Sequence, residues 1–120
     1  MLASWFTRRA AHASFAAGTA ALDRGDTDLA LRWFHDAIRA SGTFALGFLG
    51  RGLAHLRNGD FDAAVADLSE AIRLSDDARG YFLRALAYEG KADHRRSWAD
   101  RREAFRRDPR VAHSLHATVA

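Results

Sequence analysis

Two nearly identical phrases stand thirty-four residues apart in this chain: "DRGDTDLALRWFHDAI" over 23–38 and "RNGDFDAAVADLSEAI" over 57–72. At that offset Gly18, Ala20, Leu22, Gly25, Asp26, Asp28, Ala30, Ala37, Ile38 and Arg39 meet identical residues at Gly52, Ala54, Leu56, Gly59, Asp60, Asp62, Ala64, Ala71, Ile72 and Arg73. After a contraction of one residue a third copy follows: Leu53, Ala54, Asp60, Ala66, Asp67, Glu70 and Ala71 recur as Leu86, Ala87, Asp93, Ala99, Asp100, Glu103 and Ala104. A chain that repeats itself at this period is built by stacking one small unit, each copy too small to bury its own apolar face.

The unit reads as two helices. In the second copy Leu46, Leu49, Leu53 and Leu56 fall at helical spacing, and "NGD" interrupts the pattern. Ala64, Val65, Leu68, Ala71 and Ile72 then share one face of a second helix. Asn58 and Gly59 are helix-stop residues, and Asp60 and Asp62 are placed to accept the free N–H groups at the next helix start. The small residues Gly52, Ala54, Ala64 and Ala71 let the two backbones approach closely.

A thirty-four-residue helical pair with small residues at Gly52, Ala64 and Ala71, leucine and aromatic packing around them, and Pro109 just past the last helix resembles the tetratricopeptide repeat. The resemblance implies an all-α fold of three stacked repeats, about 11–44, 45–77 and 78–109, forming a short right-handed superhelix. Residues 1–10 then form an N-terminal helical extension. The tail from 110 to 120, with Val111, Leu115 and Val119 four apart, forms a capping helix. Gly42 and Asp76 depart from the closing proline of the pattern. In the third copy His94 replaces an aromatic and Arg101 an apolar residue, so the last helix is expected to pack loosely or to end the stack.

Composition narrows the function. The 120 residues contain no cysteine, which removes disulfides, thiol nucleophiles and thiolate metal sites and fits a cytoplasmic protein. No run of about 18 apolar residues is present, as a membrane-spanning helix requires. The acid-free prefix with Trp5, Phe6, Arg8 and Arg9 has the makings of a targeting peptide or a membrane-surface helix, but as the start of the first repeat it is read as an extension of the first helix, with a membrane not the adopted partner. The histidines are scattered, with His113 and His116 the only close pair, so neither a metal site nor a cofactor is expected. "DRGDTD" lacks the glycine and terminal glutamate of a calcium loop, and its place in the repeat explains it as turn and cap. With no phosphate loop, nucleophile elbow or catalytic triad pattern, no catalytic residue is nominated, and the chain is read as a non-enzyme.

In the family, the first helices of the pairs line a concave groove. The resemblance places Phe15, Thr19, Leu46, Leu49, Leu53, Leu56, Arg79, Phe82 and Leu86 there, an unusually apolar set that implies binding of a partner's amphipathic helix or apolar peptide. The expected partner is a protein or peptide, or a second copy of the chain, and the alternative is a structural subunit using the same leucines as a permanent interface. A subclass of the family grips chaperone C-terminal carboxylates with lysine, asparagine and arginine. The matching places here hold Phe15, Thr19, Gly50, Arg79 and Leu83, so that activity is not implied.

A third reading concerns the C-terminal end. From Lys91 onward there are eight basic and four acidic residues, against ten and eleven before it. Arg95, Arg102, Arg106 and Arg110 form a candidate patch for nucleic acid or an acidic partner. Against it, Trp98 and Phe105 lie seven apart on the expected buried face, and Asp93, Asp100, Glu103 and Asp108 are spaced to pair with the arginines. The adopted expectation is a solvated end helix.

Overall fold

The computed structural model describes residues 2–113. Six helices follow one another: α1 (Leu2–Asp23), α2 (Thr27–Ala40), α3 (Ala45–Arg57), α4 (Phe61–Ser75), α5 (Ala78–Gly90) and α6 (His94–Arg107). They pack as the pairs α1/α2, α3/α4 and α5/α6, each pair also touching the next through its second helix, and the first helices α1, α3 and α5 meet along one side. A further helical segment begins at Val111, which is fully buried. The capping helix expected over 110–120 rests on Leu115 and Val119 as well, and residues 114–120 lie outside the described residues.

The same three-residue device turns the chain within every pair. Asp26 N–H donates to Ala21 O and Gly25 N–H to Leu22 O; Asp60 to His55 O and Gly59 to Leu56 O; Asp93 to Tyr88 O and Ala92 to Glu89 O. This crossed pattern satisfies the last carbonyls of the first helix and needs a left-handed residue at its centre. Gly25 and Gly59 stand there at φ 78°, and in the third copy Ala92 does so at φ 58°. The aspartate that follows starts the second helix: Asp26 accepts from Leu29 N at 3.2 Å and Asp93 from Arg96 N at 3.2 Å. Asp60 makes no such bond, contrary to expectation; its carboxylate faces His55 Nδ1, 3.9 Å away.

Small residues on the first helices receive large ones from the second. Phe34, 1% exposed, lies against Gly18 and Gly50, where an added Cβ would stand 2.6 and 2.5 Å from its ring. Leu68, fully buried, lies in the same way against Gly52. Burying one such side chain is worth about 1.5–3 kcal/mol, and the row Ala30, Phe34, Leu53, Leu68, Leu83, Ala87 and Ala104 belongs to one continuous core through all three copies.

The ionic counterpart is a staple written twice. Arg51 of α3 holds Asp67 of α4 through Nε–Oδ2 and Nη2–Oδ1 bonds, both 2.8 Å. Thirty-three residues later Arg84 holds Asp100 through the same two atom pairs, also at 2.8 Å. Each arginine also reaches the preceding pair: Arg84 Nη1 donates to Ser69 Oγ at 3.0 Å, and Arg51 Nη1 lies 3.4 Å from His35 Nδ1, the equivalent position. The hydrogen-bonded carboxylate raises the pKa of both arginines. The last helix is therefore not loose. It buries Ser97, Asp100 and Ala104, while Trp98 and Phe105, expected inside, are 61% and 40% exposed.

Candidate functional site

Where α1, α3 and α5 meet, the concave side opens a cleft of about 290 Å³. Of the expected groove residues, Phe15, Thr19, Leu49, Leu53 and Arg79 line it together; Leu22, Asp23, Phe34, Gly50 and Leu83 complete the wall. Phe15 is held by Phe34 and Phe44, each with ring centroids 5.8 Å away. Leu53 is only 6% exposed, so it belongs as much to the core as to the cleft. Thr19 stands exposed at the rim with its hydroxyl donating to the Phe15 carbonyl at 3.0 Å.

Four expected residues take other places. Leu46 turns toward Ala71, Ser75 and Gly80 and lines a small adjoining cavity of about 40 Å³ that shares Leu49 and Arg79 with the cleft. Leu56 and Leu86 are half-buried against the core cluster. Phe82 meets Phe105 of α6 edge-to-face at 6.1 Å, with the Arg101 guanidinium 5.9 Å from its ring. Which leucine turns into the cleft depends on the crossing of neighbouring helices, which spacing alone does not contain.

Polarity in the cleft comes from its edges. Arg79 is fixed by Asp77, which accepts from its backbone N–H at 2.8 Å, from Nε at 3.0 Å and from Nη2 at 2.9 Å. The side-chain bond to Arg79 holds the Asp77 carboxyl below its ordinary pKa, while the same bond raises that of Arg79. The guanidinium is thus pre-positioned at one rim, and the exposed carboxylate of Asp23 marks the other. Phe34, which floors the cleft, escaped the sequence reading. It and its repeat partner Leu68 both stand opposite glycines, as Ile38 and its repeat partner Ile72 do.

The extension at residues 2–10 continues α1 as helix, and residues 3–10 are exposed throughout, so this segment does not lie over the cleft. Trp5 meets Phe6 edge-to-face at 4.9 Å and carries the Arg9 guanidinium 5.2 Å above its ring. At the opposite end, Arg95, Arg102, Arg106 and Arg110 are all exposed. Arg102 and Arg106 share a shallow depression with Trp98, Arg101, Glu103 and Phe105, whereas Arg95 borders a separate one with Asp93, Arg96 and Ala99. The expected salt bridges form only in part. Asp93 holds Arg96, and Glu103 holds Arg106 and Arg107, but Asp100 is taken by Arg84. No metal-holding cluster of histidine or acidic residues occurs among the described residues, and no described helix is long and apolar enough to cross a membrane.

Residues 48–77 match the family model of the tetratricopeptide repeat. The whole arrangement superposes on solved members of that fold. The chain has the tetratricopeptide-repeat fold. It aligns with the tetratricopeptide-repeat domain of OM64 from Arabidopsis at a TM-score of 0.85 and 22% identity, over 94% of this chain and 96% of that one. It aligns with the MamA protein at a TM-score of 0.77 and 23% identity, over 89% of this chain and 58% of that one. No curated protein sequence matches significantly. Tetratricopeptide-repeat proteins are generally protein-interaction scaffolds, and a protein partner is the class of ligand that this fold serves.

Proposed function

We propose that this tetratricopeptide-repeat domain is a non-catalytic cytoplasmic adaptor that takes an amphipathic helix or apolar peptide of a partner protein into its concave cleft. The observation that carries the reading is the cleft itself. Phe15, Leu49 and Leu53 present an apolar wall over the Phe34 ring, left open by the N-terminal extension, with the fixed Arg79 cation at one rim. Apolar surface gathered in a concavity and bordered by few polar groups is the usual form of a peptide site. Arg79 would orient the ligand by meeting one carboxylate, at the cost of sharing its bonds with Asp77.

The test fills the cleft without touching the core. Thr19 is exposed at the rim, so Thr19→Trp adds bulk where the ligand would lie and leaves the helical circular dichroism unchanged. Co-purification from the source cells, compared between native chain and variant, is expected to lose one or a few specific proteins by about tenfold, as when a central interface position is blocked. A folded Thr19→Trp variant that retains every partner overturns the reading.

A further inference from the structure

The outward face of α6 is a second candidate surface, separate from the cleft. Trp98 is the most exposed large apolar side chain among the described residues, at 61%, and Phe105 lies one helical row away. Arg95, Arg102 and Arg106 follow at intervals of seven and four residues, so they share one face, separated by about 10 and 6 Å along the axis. The Arg102 guanidinium carbon lies over the Trp98 ring, 4.8 Å from its centroid, and no hydrogen bond among the described residues takes up its N–H groups.

Of the carboxylates on and beside α6, only Glu103 meets an arginine of this face, Arg106; the others are engaged elsewhere. Asp100 is buried under Arg84 on the opposite side of the helix. Asp93 caps the helix and meets Arg96, Glu103 holds Arg106 and Arg107, and Asp108 accepts from the Arg110 backbone N–H at 2.9 Å. Arg95 and Arg102 have no carboxylate within ion-pair reach among the described residues. A solvated end helix would set all its acids among its arginines; this one turns Asp100 inward, leaves Glu103 to Arg106 and Arg107, and turns its tryptophan outward.

We infer that the face formed by Arg95, Trp98, Arg102, Phe105 and Arg106 docks an acidic amphipathic helix of a partner protein, whose apolar residues cover the two rings and whose carboxylates meet the arginines. Charge and apolar area together select this occupant. The chain before Lys91 has ten basic against eleven acidic residues, so the positive excess is confined to the C-terminal end. Three arginines would give a salt dependence of only about the third power, short of the roughly 6–10 phosphate contacts of proteins that live on nucleic acid. Tryptophan and arginine side by side are instead the composition of protein-interface hot spots.

The probe is a fluorescein-labelled Leu/Glu amphipathic helical peptide of about 18 residues, long enough to span the face. Two control peptides replace Glu by Gln or Leu by Ala, and an oligothymidylate and an oligouridylate of equal length stand for nucleic acid; all are titrated into the full chain by anisotropy. Binding of the acidic amphipathic peptide is expected, with each control peptide about tenfold weaker and with Trp98→Ala and Arg102→Gln each lowering affinity by about tenfold. Thr19→Trp, in the cleft, leaves this binding unchanged, which separates it from the adaptor reading above. The proposal is overturned if the acidic peptide does not bind, if the Gln or Ala control binds equally well, if either oligonucleotide binds more tightly, or if folded Trp98→Ala and Arg102→Gln bind as the native chain does. Should either variant lose helix, Arg106→Gln, fully on the surface, takes its place with the same expected loss.

Discussion

The first helical pair and the two that follow solve one packing problem in different ways. In the second and third pairs an arginine of the first helix grips a buried aspartate of the second, Arg51 with Asp67 and Arg84 with Asp100. At the corresponding places the first pair has Ala17 and Trp33, with neither charge, and Trp33 is 37% exposed. What it has instead is Phe34, a ring driven between Gly18 of its own partner and Gly50 of the next pair. Along the same row the apolar wedge shrinks, from Phe34 to Leu68 to the half-buried Arg101. As the wedge weakens toward the C-terminus, the ionic staple takes over. The difference teaches that a repeat fold conserves the spacing of its backbones while the force that holds the spacing can change from copy to copy.

The largest effect expected from this contrast is at the two ends of the wedge row. Phe34→Ala removes a ring that two glycines were shaped to receive, and neither can move in to fill the space; a loss of about 3–5 kcal/mol is expected in urea unfolding. Arg101→Ala, at the same repeat position, is expected to change stability by less than about 0.5 kcal/mol. Equal losses at the two positions would break the comparison.

The staple is tested next. Asp67→Ala and Asp100→Ala each leave an arginine whose side chain is 24% and 21% exposed without its carboxylate. Removal of one partner from a fully buried pair costs about 3–5 kcal/mol, and the partial exposure here brings the expected loss to about 2 kcal/mol at each site. Replacing both members, Arg51→Leu with Asp67→Leu, is expected to recover most of it, because the cost lies in stranding one charge rather than in losing the pair. A single-variant loss under about 0.5 kcal/mol would place the staple among surface ion pairs.

Much of this was legible in the sequence, and the remainder has a physical cause. The repeat period, the helix boundaries at Gly25 and Gly59, and the small residues Gly18 and Gly52 read directly, because backbone geometry and steric fit are local properties. The staple did not read, although Arg51 and Arg84 recur at the same thirty-three-residue spacing as Asp67 and Asp100. Identity matching registers that residues recur; it does not register that two recurring positions sixteen apart face each other across a helical pair. Trp98 and Phe105 misled for the opposite reason. A large apolar residue at helical spacing normally marks the buried face, yet on α6 the small residues Ser97 and Ala104 and the stapled Asp100 occupy it. Among the residues expected in the cleft, Leu46 and Phe82 sit on the predicted helices but turn to other neighbours, since a rotation of one residue along a helix redirects a side chain by about 100°.

The smallest effect sharpens the comparison at the turns, where all three copies share one hydrogen-bond pattern and differ in one atom. Gly25 and Gly59 occupy the left-handed position without a Cβ, whereas Ala92 holds φ 58° with one. The left-handed conformation costs an L-residue about 1–2 kcal/mol, offset in part by the greater freedom that glycine loses on folding. Ala92→Gly is therefore expected to stabilise the chain by about 0.5–1 kcal/mol, and Gly59→Ala to destabilise it by a similar amount. Nothing lies within 4 Å of the Cβ that Gly59→Ala would add, so backbone conformation alone sets the sign. If Ala92→Gly gains nothing while Gly59→Ala costs the expected amount, the third turn is held by its neighbours rather than by its own geometry. The bridge from Lys91 to Asp62 on α4 is then the contact to remove next, since it ties that turn to the preceding pair and has no equivalent at Asn58.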